Sequence, residues 1–144
     1  MGFIQRIFGN RKSQEPYFDS LLGMLQSGEE ANSWATDPDT YSGPFAIEIG
    51  GTDKPDAALL AHAHDIHKES VSFAESVREF LIQQKSEFQL EYSDEIDSLV
   101  IEMVGLWWPA RPNDGMIFFE GGSDGRVWRC DYINRSPIGL GFDS

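Results

Sequence analysis

The sequence predicts a single α+β domain in which one long α-helix packs on one face of an antiparallel β-sheet. Two observations lead to this prediction. Apolar residues recur at three- and four-residue steps across residues 56–84, as they do on one face of a helix. Short segments of alternating apolar residues, separated by turn-forming residues, stand before and after this stretch. A chain of 144 residues, 40% of them hydrophobic, suits one domain with a sizeable core.

The first sixteen residues are predicted to be a basic amphipathic segment and linker, separate from a domain at residues 17–144. Residues 1–12 contain three basic residues and no acidic residue. Four apolar residues of this segment would share one helical face: Phe3, Ile4, Ile7 and Phe8. Such a helix can lie on an anionic membrane surface or against a partner, so any membrane contact is expected through residues 1–12 alone. The simpler expectation is a frayed terminus, or one docked on its own domain.

The first third of the domain is predicted to form strand, turn and strand. Turn residues occupy positions 37–44, and Phe45, Ile47 and Ile49 then alternate with smaller or charged residues. The long helix follows, with Pro55 tolerated in its first turn and a break expected near Ser70.

The last third is predicted to be antiparallel sheet. Residues 99–104 are apolar on most of both faces and suit a central strand, and residues 116–120, 126–133 and 138–142 suit three more. Gly-rich segments between them supply the turns. Cys130 would lie between Trp128 and Tyr132 on one strand face, so we expect a buried thiol that reacts slowly.

Charge is the most informative feature for function. The chain has 24 acidic and 11 basic residues, a net charge of −13. Such a chain repels nucleic acid and attracts basic surfaces, so the expected partner is a basic protein and no nucleic acid is expected. The single cysteine, and the lack of a signal peptide or an apolar run of about 18 residues, favour the cytoplasm.

The three histidines resemble a metal-binding tract, but their spacing argues against one. His62 and His64 would point roughly 200° apart on a helix. His64 and His67 could pair, but a metal site would need further ligands from elsewhere. The sequence has no nucleophile elbow and no Gly-rich phosphate loop before a helix. We therefore expect no metal, no cofactor and no catalytic residues, and hence not an enzyme.

Two segments are predicted to contact a partner. Trp107 and Trp108 precede Pro109 at the end of a strand, so one indole is expected to pack inward and the other to lie at the rim of a loop. An acidic run before the same strand, Glu91, Asp94, Glu95 and Asp97, is predicted to be solvated. The predicted partner-binding residues are Asp94, Glu95, Asp97, Trp107, Trp108, Arg111 and Asp114.

A family resemblance rests on the order of these segments. Residues 43–49 (GPFAIEI), a long helix, and then residues 124–128 (DGRVW) resemble a set of small bacterial domains of unknown function. Many such domains lie beside toxin genes and are thought to be immunity proteins. The resemblance spans residues 18–133, implies an α+β fold and a binding role, and transfers no site residues.

The predicted function is therefore an acidic cytoplasmic protein of the immunity or antitoxin kind, which neutralises a basic partner such as a cognate toxin by occlusion. Two alternatives stay open. One is a housekeeping module with a membrane-surface or small-molecule role. The other is a metal-dependent enzyme that uses His64 and His67.

Overall fold

The computed structural model describes residues 15–123 and 125–143, and the predicted basic amphipathic segment lies outside these residues up to position 14. Within residues 15–123 and 125–143, eight strands form one sheet, in chain order from edge to edge. The strands are β1 (Tyr17–Asp19), β2 (Gly23–Ser27), β3 (Ser33–Thr36), β4 (Ala46–Gly50), β5 (Val100–Leu106), β6 (Gly115–Glu120), β7 (Val127–Ile133) and β8 (Ser136–Asp143). The helices in the described part of the chain are α1 (Ala57–Lys68), α2 (Ser70–Gln84) and α3 (Leu90–Ile96), and a 3-10 turn lies at Lys85–Glu87.

The sheet is mixed, so the predicted arrangement of one long helix on an antiparallel sheet is wrong. Strands β1–β4 and β5–β8 are two antiparallel meanders, but β4 and β5 pair in parallel, with Ala46 opposite Met103 and Ile49 opposite Leu106. A parallel pair needs a long crossover that returns the chain to the same end of the sheet. The three helices form that crossover. Periodicity reveals strands but not their direction, which is why the sequence pattern did not show it.

The predicted long helix is two helices, which meet next to Ser70. Glu69 has φ −111° and ψ 31°, outside the helical region, and its N–H bonds to the Asp65 carbonyl. The Asp56 side chain caps the start of α1 by accepting from the N–H groups of Ala58 (3.1 Å) and Leu59 (3.2 Å). Pro55 therefore precedes the cap. The apolar stripe continues across the break because both helices pack on the same sheet.

Two further segments differ from the sequence prediction. Residues 17–50 form four strands in place of strand, turn and strand, because β1, β2 and β3 are only three to five residues long and too short to show a clear alternation. The acidic run before β5 was predicted to be solvated, and all of its acids except Glu95 are exposed, but the run belongs to helix α3 and its C-terminal end, and α3 also buries Ser93 and Ile96. Seven residues with two buried positions give little helical periodicity.

The sheet curls around α1. His64 on one side of α1 bonds to Asp19 of β1, and His62 on the other side bonds to Tyr132 of β7. Six strand spacings of about 4.8 Å would separate β1 from β7 by roughly 29 Å in a flat sheet. Residues two positions apart on one helix can reach both strands only if the sheet wraps around the helix. The core therefore lies between this curled face and the helices, with Ile47, Leu59 and Trp128 fully buried.

Candidate partner-binding surface

The outer surface of the helices is acidic. Residues 57–97 contain nine acidic and three basic residues, a net charge of −6. Seven of the nine carboxylates are exposed, and six of these seven form no ion pair with another residue of the described chain. We call this set the acidic face: Glu69, Glu75, Glu79, Glu87, Glu91 and Asp94. Exposed apolar side chains, Val71, Ile82 and Leu90, lie among them on α2 and α3.

Glu95 belongs to the predicted acidic run, but its carboxylate is used inside the fold. The side chain is 7% exposed and accepts from Arg126 Nη2 (2.7 Å), from Ser123 Oγ (2.7 Å) and from the Trp128 indole N–H. The Arg126 hydrogen bonds, helped by Trp128 and opposed by burial, hold the pKa of Glu95 well below its ordinary value. Glu95 thus joins α3 to β7.

Asp97 is also paired, but at the surface. Its Oδ1 lies 2.8 Å from Lys85 Nζ, and the Asp97 side chain is 57% exposed. Of the three acids predicted to contact a partner, only Asp94 has a carboxylate without an ion-pair partner among the residues described. The sequence could not distinguish these three acids, because their difference depends on which side of α3 faces the sheet.

Trp107 is held by a buried carboxylate. Its indole N–H donates to Glu48 Oε2 at 3.0 Å, and Glu48 is 3% exposed. The same carboxylate accepts from the backbone N–H groups of Glu29 (3.1 Å) and Glu30 (3.0 Å). Glu48 therefore ties the turn before β3 to the end of β5, and Trp107 fixes the start of the loop at residues 107–114.

Trp108 lies further out in this loop. The Arg111 guanidinium stands over its ring at 4.5 Å from the centroid, and the Trp108 and Trp107 rings meet edge to face at 6.0 Å. Asp114 accepts from the Asn134 N–H at 3.0 Å, which joins the loop to the turn between β7 and β8. Both indoles are half-buried, so the expected split into one inward and one rim indole is only partial.

The predicted partner-binding residues lie at two ends of one strand. Asp94, Glu95 and Asp97 lie just before β5, and residues 107–114 follow it. Seven strand residues span about 23 Å. The structure therefore gives two separate candidate surfaces, the acidic face and the 107–114 loop.

The histidines point in different directions, each to its own partner. His62 Nδ1 donates to the Pro112 carbonyl (2.7 Å), so its Nε2 accepts from the Tyr132 hydroxyl (3.2 Å). His64 Nε2 bonds to Asp19 (2.9 Å), and His67 Nδ1 bonds to the Tyr41 hydroxyl (2.7 Å). Residues 15–123 and 125–143 contain no group of three or more His, Cys, Asp or Glu side chains that could hold a metal ion.

Their surroundings shift the pKa values of His62, Asp19 and Cys130. Burial lowers the pKa of His62, although the Pro112 carbonyl opposes this, so the neutral form is favoured. Burial alone would raise the pKa of Asp19, but hydrogen bonds from the Leu22 N–H and His64 outweigh it and lower the pKa. Cys130 is fully buried as predicted, and burial raises its pKa to about 12. Slow reaction of this thiol stays a prediction.

A groove that was not predicted from the sequence lies beside α2. Its deeper part, about 230 Å³, lies between α2 and the strands β5 and β6, and a shallower part continues along α2. We call the two parts together the α2 groove; its main lining residues are Pro44, Phe45, Ala74, Arg78, Leu81 and Val100. One signal was present in the sequence, because Val71, which lines the shallower part, is apolar yet falls outside the stripe that faces the core.

Searches of protein-family models, curated proteins and solved structures find no match to this chain. The resemblance to immunity proteins therefore stays a prediction. Across the part of the chain that the structure describes, no helix has the length and apolar character needed to cross a membrane.

Proposed function

We propose that this protein binds a basic protein partner in the cytoplasm and neutralises it by occlusion, as an immunity protein does. The observation that carries the proposal is the acidic face, where six exposed carboxylates have no ion-pair partner within the described chain. Charge on a folded surface that is not balanced locally creates a field that attracts a complementary partner and speeds its association.

The mechanism requires no chemistry at the surface. The acidic face would cover lysine and arginine side chains with which a partner such as a nuclease toxin holds its own substrate. Exposed apolar residues among the carboxylates, such as Val71 and Leu90, would then supply contacts that exclude water and slow dissociation. Charge would set the association rate, and apolar contacts would set the lifetime of the complex.

Charge reversal on the acidic face tests this proposal. The acidic-face variant carries Glu75→Lys and Glu79→Lys. The control variant carries Glu30→Lys and Asp53→Lys, two exposed acids near the end of β4 that change the net charge equally. Each protein is used to capture partners from cells that make it naturally.

We expect wild type and the control variant to retain a protein with a pI above about 9, and the acidic-face variant to lose it. Retention of the same partner by all three proteins, or a partner that is not basic, would contradict the proposed function.

The 107–114 loop is the second predicted contact surface, and one substitution tests it. Trp108→Ala removes an aromatic side chain of the kind that often anchors a complex, so it should mainly raise the dissociation rate of the captured partner, by about tenfold or more. Surface kinetics measures this directly. An unchanged dissociation rate would show that the loop does not contact the partner, and the acidic face would remain as the candidate surface.

A further inference from the structure

We infer that the α2 groove receives one apolar side chain from the basic partner, which lysine or arginine residues flank on the partner chain. The inference rests on the proposed function and adds the chemistry of the segment that binds. The deeper part of the α2 groove is lined mostly by apolar residues, with Phe45, Leu81 and Phe119 among them. Among the residues that the structure describes, Arg78 is the one charged residue that lines this deeper part.

The form of the groove favours a side chain over a small molecule. Its shallower part is the larger, at about 580 Å³, but apart from Pro44 only residues of α2 line it, so it could not enclose a ligand. The deeper part measures about 230 Å³. Sites for small molecules and cofactors usually measure roughly 300–1,000 Å³ and enclose most of the ligand. A depression of this size, open along one side of a helix, suits one large apolar side chain on a partner segment that stays largely outside.

The charges around the groove favour a basic segment. Glu75 and Glu79 line the shallow part and are exposed. Arg78 lies between them, but its guanidinium bonds to the carbonyls of Ile96 (3.4 Å) and Leu99. Because these carbonyls hold the Arg78 charge beside the sheet, the rim that a partner meets is negative, and cations next to the apolar side chain would pair with it.

Exposed apolar residues extend the same surface. Val71 is 73% exposed near one end of the groove, and Val100 is 51% exposed beside its deeper part. An apolar pocket with a charged rim is the arrangement in which a single anchor side chain supplies much of the binding energy.

Two peptide probes and one pair of variants test the inference. The probes are short fluorescein-labelled lysine-rich peptides that differ only in one central residue, tryptophan or serine. Ala74→Trp fills the groove from within, since Ala74 is exposed and lines both parts. Ala61→Trp adds the same side chain at an exposed alanine of α1, outside the groove.

Wild type and Ala61→Trp should bind the tryptophan peptide about tenfold more tightly than the serine peptide in fluorescence anisotropy titrations. In Ala74→Trp this preference should fall to about one, while the affinity for the serine peptide stays the same. Equal affinities of the two peptides for wild type, or an unchanged preference in Ala74→Trp, would overturn the inference.

The acidic-face variant separates this inference from the proposed function. If that variant no longer binds either peptide, while wild type binds both with equal affinity, the result supports the acidic binding surface and contradicts the inference about the groove. If charge reversal weakens the binding of neither peptide, the proposed function fails as well.

Replacing Arg6, Arg11 and Lys12 by Ser should leave the peptide preference unchanged. If this replacement raised the affinity for the tryptophan peptide alone by about tenfold, the chain's own basic segment would be the occupant of the groove, which would overturn the inference.

Discussion

Neighbouring side chains of α3 decide which carboxylates can meet a partner. Asp94 and Glu95 are adjacent and of like charge, yet Asp94 faces solvent while Glu95 accepts hydrogen bonds from Arg126 and Trp128. A buried carboxylate with these donors stabilises the fold and is not available to a partner. Counting acids in the sequence therefore overstates the charge that the surface presents.

Glu95→Ala should destabilise the fold far more than Asp94→Ala. Removing the Glu95 carboxylate leaves the Arg126 guanidinium unpaired and the Trp128 indole N–H, beside a fully buried ring, without an acceptor. We expect a loss of about 2 kcal/mol in the free energy of unfolding, measured by urea denaturation. Asp94→Ala should change it by less than about 0.5 kcal/mol. Equal losses in the two variants would show that the Glu95 contacts do not stabilise the protein.

His62 should make stability fall as the solution becomes acidic. Its pKa in the folded protein lies below the ordinary 6.5, so the unfolded chain binds the proton first. The stabilisation is complete above pH 6.5 and is lost as the pH falls through the lower, folded pKa. The advantage of wild type over His62→Gln in unfolding free energy should therefore be larger above pH 6.5 than at lower pH. An advantage that grows on acidification would mean that His62 is charged in the fold.

Short elements and strand direction set the limit of sequence-based prediction for this fold. Segments with clear alternation, such as those that form β4 and β7, were predicted as strands, and the apolar stripe indicated the helical stretch of α1 and α2. Strand β1, with three residues, and helix α3, with seven, are too short to show a period. The parallel pairing of β4 with β5 depends on where the helices return the chain, and no local pattern records that.

The ends of β4 and β5 approach closely, and Gly50→Ala tests this junction. A Cβ atom at Gly50 would lie 2.5 Å from the Trp107 carbonyl oxygen, so the backbone of one strand end would have to move. We expect a loss of about 2 kcal/mol in thermal or urea unfolding.

Gly141→Ala in β8 is the matched control, because a Cβ atom there meets nothing within 4 Å. It should change stability by less than about 1 kcal/mol, in the stabilising direction. If Gly50→Ala were as harmless as Gly141→Ala, the close packing of the two strand ends would be wrong.

At the scale of the whole molecule, the sequence reveals how much charge the protein carries but not where the unpaired charge lies. Its net charge of −13 could be read from the sequence, and so could the expectation of a basic partner. The location of the unpaired carboxylates could not, since it depends on the internal ion pairs of Glu95, Asp97 and Asp65. The α2 groove was also beyond the sequence, because residues from α2, β5 and β6 that are distant in the chain line it together. The 107–114 loop was predicted to lie at the opposite end of the strand from the acidic run, and the structure places it there.

Association kinetics with the captured basic partner at increasing salt test the central claim most directly. The Debye length shortens from about 10 Å at 0.1 M salt to about 3 Å at 1 M, so the association rate of wild type should fall steeply while the dissociation rate changes little. The acidic-face variant should associate more slowly and depend less on salt, and the control variant should behave as wild type. An association rate of wild type that does not depend on salt, or identical salt dependence in the acidic-face variant, would contradict the proposal that the acidic face steers and binds a basic partner.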